Sequence, residues 1–278
     1  MRTREKGVVY MIDLSANAGL PLSLNEDGQL VFGRGLTPVA PAVRRKNDMR
    51  EVLMEPDSRG PEELYYMYRN VMQDGDGGKI RAAGLRYDIT VIKPGILGKE
   101  FIKTAGHYHP EKKGTGITYP EVYEVISGVA HYLLQELIPG EDQVRRVALL
   151  EARAGSRVMM PANYGHITIN PGNSYLVMAN WVAEEFASEY GQFKEKKGGA
   201  YYEVSAGEDT EFIPNPLYDP IPPLAEWQVV EAPELNLTRE RPFYPSFLEN
   251  PAGFRYLVEP ENHREDFARY VEKAAAGK

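Results

Sequence analysis

The stretch KTAGHYHPEKKGTGITYPEVYEVISG, Lys103 to Gly128, decides how the rest of this chain is read, and GSRVMMPANYGHITIN, Gly155 to Asn170, answers it. The first offers His107, His109 and Glu121, the second His166. Together they supply four ligands for one divalent cation. Side chains on a β-strand alternate between faces with period two, so His at i and i+2 present both imidazoles on one side. The chain has five His and no Cys, so any metal site must use nitrogen and oxygen ligands.

Outward from this stretch the pattern is β. From Gly84 onward, LRYDITVIKPG, GKEFIKT, VYEVISG, AHYLLQEL, RRVALLEA, SRVMMPA, HITIN and SYLVMANWVA follow one another at close spacing, separated by Gly, Pro and Asn. Eight β-branched or aromatic-rich runs with turn residues between them indicate an all-β antiparallel double-sheet barrel, or jelly roll. No helical period of comparable length interrupts them.

The flanks read differently. Before Pro41, VVYMIDL and QLVFG are separated by NEDG, whose Asp27 and Gly28 favour a hairpin turn, so residues 1–41 are expected to form an extended arm covering a neighbouring surface, such as another subunit. Asp48 to Met54 is expected to form a short helix ended by Pro56, and Leu64 to Val71 a strand. After Tyr190 come the charged turn KEKKGG and the Pro-rich IPNPLYDPIPPL, expected to be extended. Phe267, Tyr270 and Val271, at i, i+3 and i+4, predict a short terminal helix.

Composition sets outer bounds. A net charge of -8 argues against a nucleic-acid surface, which needs clustered Lys and Arg; Arg44, Arg45 and Lys46 read as a solvated helix end. No apolar run reaches the roughly 18 residues of a membrane span and no signal segment opens the chain, so a cytoplasmic location without membrane or nucleic-acid partners is expected. The apolar faces of a barrel's sheets suggest a homodimer formed through the arm.

Spacing sharpens the fold. His107-x-His109 is followed after eleven residues by Glu121 and six later by Gly128; Gly155, Pro161, His166 and Asn170 follow at intervals of five, four and three. These spacings resemble the two cupin motifs, which implies a cupin double-stranded β-helix with an N-terminal arm and a C-terminal extension. VRRKNDM, TVIKPG, GKEF, KTAGHYH, EVYEVISG, YLLQ, GHITIN and SEYG, between Val43 and Gly191, resemble more closely the cupin-type phosphoglucose isomerases of archaea and some bacteria. The chain then divides into an arm at 1–41, a cupin isomerase domain at 42–192 and an extension at 193–278.

That resemblance implies glucose-6-phosphate isomerase activity through a cis-enediol, with one Fe2+, Mn2+, Ni2+ or Zn2+ on His107, His109, Glu121 and His166. It places the substrate phosphate at Thr90, Thr104 and Gly106, a catalytic role on Glu121, and Tyr123 and Tyr190 facing the sugar. Glu121 and Tyr123 share a strand face in any case, which offers a carboxylate and a phenol to one cavity. Two alternatives remain open: a sugar-phosphate-binding cupin that is non-catalytic or has a different specificity, and an Fe(II) cupin oxygenase, which the same ligands suit.

Departures from the family fall around the cavity. EKKGTGITY, Glu111 to Tyr119, lengthens the loop before Glu121, and its Lys112 and Lys113 are read as solvated, with a phosphate contact as the alternative. Val182 and Ser188 stand where the family carries a Tyr and a His. His131 is assigned a structural role and His263 an exposed one. Glu124 is read as structural or outward-facing, and so is Glu100, with support of the His pair as its alternative.

Overall fold

The computed structural model describes residues 11–138, 140–185, 187–207 and 209–277. Ten strands build the barrel: β1 Ala42–Arg45, β2 Glu63–Tyr68, β3 Leu85–Ile92, β4 Glu121–Ser127, β5 Val129–Leu137, β6 Val144–Arg153, β7 Arg157–Met160, β8 Tyr164–Ile169, β9 Leu176–Ala183 and β10 Leu224–Trp227. One sheet has the order β7-β4-β9-β3-β2-β1 and the other β8-β5-β6-β10. All these pairings are antiparallel except β6 with β10. The expected all-β cupin barrel is therefore the observed fold, and seven of the eight runs beyond Gly84 contribute strands to it; GKEFIKT instead gives the short strand Glu100–Phe101, which pairs with Tyr201–Ala206 in a separate sheet.

Period-two alternation sorts the strands of the larger sheet between two cores. On β9, Met178, Asn180 and Val182 face the barrel cavity, whereas Val177, Ala179 and Trp181 join the core on the opposite face. On β3, Arg86 and Thr90 line the cavity while Leu85, Tyr87, Ile89 and Val91 point outward into the other core. β9 is buried on both faces along its whole length, which explains why it reads as a nearly continuous apolar run.

The chain's own termini cover the outer face. The C-terminal extension forms α1 (Phe243–Glu249), a 3-10 segment (Pro251–Leu257) and α2 (Arg264–Ala276). Trp181 packs on Phe247 with ring centroids 4.2 Å apart, and Tyr87 meets Tyr244 at 5.2 Å. Each fully buried large side chain of this kind contributes about 1.5–3 kcal/mol through burial. A buried ion pair fastens the layer: Arg157 Nε donates to Glu124 Oε1 at 3.2 Å, and Glu124 Oε2 accepts the Phe243 N–H at 2.9 Å. Burial pushes the Glu124 carboxyl up to about 7, against the opposing pull of Arg157.

The arm likewise folds onto its own chain. Leu22–Leu24 and Leu30–Phe32 form the hairpin, with Gly28 at φ 76° in the turn between them. Leu14, Ala18, Leu20, Leu22, Leu24 and Leu30 are buried in the outer core, and Asn17 Nδ2 donates to Ile126 O. The surface that these residues cover belongs to their own chain. Val8 to Tyr10 of the VVYMIDL run lie outside the described residues.

Other expectations meet specific outcomes. The helix near Asp48 is displaced toward the N-terminus, with an α-turn at Lys46–Met49 and a 3-10 turn at Arg50–Val52. β2 supplies the expected strand before Val71 and α2 the terminal helix. The Pro-rich stretch includes no long helix; β10 follows it and joins the smaller sheet in parallel with β6. α1 was not foreseen, because PFYPSFLENP carries Pro on both sides and a Pro inside it, and its helical turns are selected by the Trp181 surface. No helix among the described residues is long and apolar enough to cross a membrane.

Candidate active site and metal centre

The His-x-His segment is extended without being a full strand. The long loop and Pro110 interrupt the ladder, and isolated bridges hold the segment instead: His107 N–H donates to His166 O at 3.2 Å and His166 N–H to His107 O at 3.1 Å, while Tyr108 pairs with Glu189. Two of the ligands are thereby tied directly to each other through backbone. β4 supplies Glu121 at its first residue and β8 supplies His166.

His107, His109, Glu121 and His166 offer one ligand atom each, all within 4.8 Å of one another. The Nε2 atoms of His109, His166 and His107 lie 3.2, 3.5 and 3.9 Å from Glu121 Oε2. His109 Nε2 and His107 Nε2 stand 3.1 Å apart. Glu121 Oε2 and His166 Nδ1 are buried and make no well-aligned hydrogen bond, although burying a charged oxygen unpaired is costly. Three imidazole nitrogens converging on one orphaned carboxylate oxygen fit a cation, so this buried group can hold a metal.

Neighbouring groups orient the ligands. His109 Nδ1 is 2.7 Å from Tyr119 O, which leaves Nε2 directed at the site. Asn180 Nδ2 donates to Glu121 Oε1 at 2.6 Å. Burial alone raises the Glu121 carboxyl, yet the contact with His109 and the charges of His109 and His166 outweigh it and hold the group below its ordinary value. Burial pulls His166 down to about 4 and His107 well below the usual imidazole range. For His107 and His166 this favours the neutral ring, the form in which an imidazole binds a metal.

The cavity beside these ligands is lined by every residue expected to meet substrate: Thr90, Thr104, Gly106, Tyr123 and Tyr190, with Val182 and Ser188. Gly106 has φ 74°, and a Cβ there would meet Ile167 Cγ1 at 2.5 Å, so glycine is required by both backbone and space. Its N–H makes no hydrogen bond among the described residues. Thr104 Oγ1 accepts the Thr168 N–H at 3.0 Å. Tyr123 Oη lies 3.3 Å from His166 Nε2; burial, then the Glu121 charge, raise that phenol well above 10, so it stays protonated. The Tyr190 ring stands 5.8 Å from that of His107.

Several assignments change. Glu100 does not support the His pair: it is buried, accepts the Met54 N–H at 2.8 Å and pairs with Lys103 at 2.5 Å. Lys112 is not solvated and does not face the cavity, because its Nζ donates to Val258 O at 2.8 Å and Glu261 at 2.7 Å. Arg44 is half-buried beside the Tyr65 and Tyr190 rings, rather than a solvated helix end. His131 sits between Glu203 and Glu151, at 2.7 and 3.3 Å. His263 is only partly exposed and pairs with Asp266 at 2.9 Å.

Tyr65, Arg69, Arg86 and Asn180 also line the cavity and were not foreseen. Arg86 and Asn180 were within reach of strand parity, since Arg86 shares the face of Thr90 and Asn180 lies opposite Tyr123. Arg69 lies one residue past β2 but within the strand expected at Leu64 to Val71, and it keeps the parity of Tyr65 and Met67, which also line the cavity.

Residues 43–215 match the family model described as Glucose-6-phosphate isomerase (GPI). A glucose-6-phosphate isomerase of Pyrococcus abyssi is 27% identical over 207 residues, covering 71% of this chain and 97% of the relative. Those of Thermococcus onnurineus and Thermococcus litoralis are 27% and 28% identical over 63% and 56% of this chain, and 86% and 76% of the relatives. A mutant oxalate decarboxylase of Bacillus subtilis, 19% identical, aligns over 46% of this chain and 28% of its own, with a TM-score of 0.33, a score at which the likeness carries no argument.

Proposed function

This chain belongs to the glucose-6-phosphate isomerase family, and we propose that it interconverts glucose 6-phosphate and fructose 6-phosphate, using one divalent metal held by His107, His109, Glu121 and His166. The observation that carries this reading is the convergence of those ligands with Thr90, Thr104 and Gly106 on one cavity. Two hydroxyls and a backbone N–H are neutral donors suited to a phosphate. A division into an arm at 1–41, a cupin core at 42–192 and an extension at 193–278, acting in the cytoplasm as a homodimer, belongs to the same reading.

The isomerisation moves a proton from C2 to C1 and, in step with it, a proton from the C2 hydroxyl oxygen to the C1 oxygen. The weakly acidic hydrogen on C2 of the aldose leaves, a cis-enediol forms, and a proton returns to C1 to give the ketose. When bound, the cation supplies electrostatic stabilisation of the negative charge that develops on the sugar oxygens. Glu121 is the carboxylate assigned to carry the proton. Tyr123, protonated and buried, donates a hydrogen bond to the sugar, and Tyr190 closes the cavity over it. Thr90, Thr104 and Gly106 anchor the phosphate, so that the reacting carbons are held beside the ligands.

The test is an isomerase assay with and without chelator, coupled to metal analysis of the purified protein. Activity that is lost with the metal and returns on adding one of Fe2+, Mn2+, Ni2+ or Zn2+ supports the reading; chelator-resistant turnover by metal-free protein overturns its metal dependence. A Glu121→Gln variant that keeps metal and full activity removes the base role and leaves a hydride shift between C1 and C2. Val182 and Ser188 in the cavity lining favour one second reading, a non-catalytic or differently specific sugar-phosphate binder. Tight binding without turnover across a panel of hexose phosphates distinguishes it.

A further inference from the structure

β3 carries Arg86, Asp88 and Thr90 on one face, and the strand rises about 3.3 Å per residue, so Thr90 and Arg86 stand roughly 13 Å apart along it. The expected phosphate end and an arginine end thus occupy the two ends of one cavity wall. At the arginine end, buried Asp88 accepts from Arg69 Nη1 at 2.5 Å and Arg86 Nε at 2.8 Å, both on Oδ2. Its Oδ1 accepts the Asn70 N–H at 3.0 Å. One carboxylate, itself only 1% exposed, therefore holds two guanidiniums and neutralises one.

The charge that Asp88 leaves unneutralised faces the cavity, where Glu121 also acts on Arg69. Arg69 and Arg86 both line it, and the Nη atoms of Arg86 make no hydrogen bond among the described residues. Opposite Arg86 on β9 stands Val182, and opposite Asp88 stands Asn180. A valine there leaves the guanidinium without a side-chain acceptor across the strand pair. An ion pair built only for stability needs one arginine for one aspartate. A second arginine, fixed through Nε with its two Nη groups left over, is preorganised to accept an anion, because a guanidinium presents paired donors matching a carboxylate or phosphate.

We propose that Arg69 and Arg86 form a second anion subsite, so that the preferred ligand of this chain is a sugar phosphate with a further anionic group, carboxylate or phosphate, at the end remote from the first phosphate. This rests on the proposed placement of the first phosphate at Thr90, Thr104 and Gly106. Asp88 is the positioning residue that holds both arginines. A ligand lacking the second anion leaves the Arg86 Nη groups to water.

The experiment is calorimetric titration of the metal-loaded full chain with glucose 6-phosphate, 6-phosphogluconate and fructose 1,6-bisphosphate, in the wild type and in Arg86→Gln and Arg69→Gln. The expected result is that each substitution weakens one or both doubly anionic ligands at least tenfold more than it weakens glucose 6-phosphate. Whether the carboxylate or the bisphosphate suffers more identifies the second group. Arg86→Lys, which keeps the charge but loses the fork, is expected to restore only part of the difference, and melting curves confirm that each variant is folded. Equal losses for all three ligands, or an unchanged ratio in folded variants, overturn the proposal while leaving the isomerase reading intact. A wild type that binds none of the three overturns both.

Discussion

Asn180 Nδ2 donates to Glu121 Oε1 at 2.6 Å, so one oxygen of the buried carboxylate is held by the central strand β9 while the other points at three imidazoles. The asymmetry makes Asn180 a determinant of how Glu121 presents its ligand atom. Removal of such an outer partner typically costs about 10–100-fold in metal affinity. Asn180→Ala is expected to lose metal at that level to a competing chelator, with near-native melting when metal is in excess.

Thr90 makes a cleaner probe of the phosphate end than Thr104. Thr104 Oγ1 also accepts the Thr168 N–H, so its substitution orphans a backbone donor. Thr90→Val removes one hydroxyl donor to a charged group, an interaction worth about 1.5–3 kcal/mol. It is expected to lower kcat/KM by one to two orders of magnitude, mainly through KM. Steady-state kinetics that show an unchanged KM would place the phosphate elsewhere.

His131 gives a pH signature remote from the ligands. Burial works to lower its pKa, but the hydrogen bond and charge of Glu203, and then of Glu151, overcome it and raise the group. The folded state therefore favours the charged ring. Its contribution is fully present below the unfolded value of about 6.5 and is lost as pH rises through the higher folded value. The melting temperatures of wild type and His131→Gln are expected to differ most below pH 6.5 and to converge above it.

The aromatic layer on the outer sheet face is a stability element. Trp181 is fully buried among Tyr87, Tyr244, Phe247 and Phe254. Trp181→Ala is expected to cost about 3–5 kcal/mol, read from urea unfolding. Adjacent Val182 faces the other way, into the cavity, and Val182→Tyr is expected to alter kcat/KM with a smaller change in stability.

The four-residue ligand group was legible because motif spacing acts locally, whereas Thr90, Thr104 and Gly106 were reached only through the resemblance to the isomerase family. Glu121 opens β4, His166 lies within β8 and His107 and His109 sit on the extended segment bridged to it, all at short sequence intervals. The arginine end was legible only in part: parity places Arg86 with Thr90 and Arg69 with Tyr65, but the Arg69–Asp88 contact depends on how β2 and β3 pair. Glu100, read as structural or outward-facing, could not be assigned its partners, and Lys112 was misjudged, for a related reason. Their partners, Met54 with Lys103 and Val258 with Glu261, come from segments whose docking no periodicity encodes. The aromatic residues of α1 carried no helical period, and the Trp181 surface they cover selected their shape.

The contacts of the long loop bear on where this enzyme's site ends. Lys112 is fastened to Val258 and Glu261, Arg264 Nη2 donates to Thr115 O, and the same loop delivers the Tyr119 carbonyl to His109 before Glu121 begins β4. The final quarter of the chain therefore holds the rim from outside, as a brace across the mouth of a vessel holds its wall. Loss of the Lys112 contacts alone, as in Lys112→Met, would be expected to loosen metal retention, so that a defect seated far from any ligand would be recorded in an assay as a fault of the metal centre.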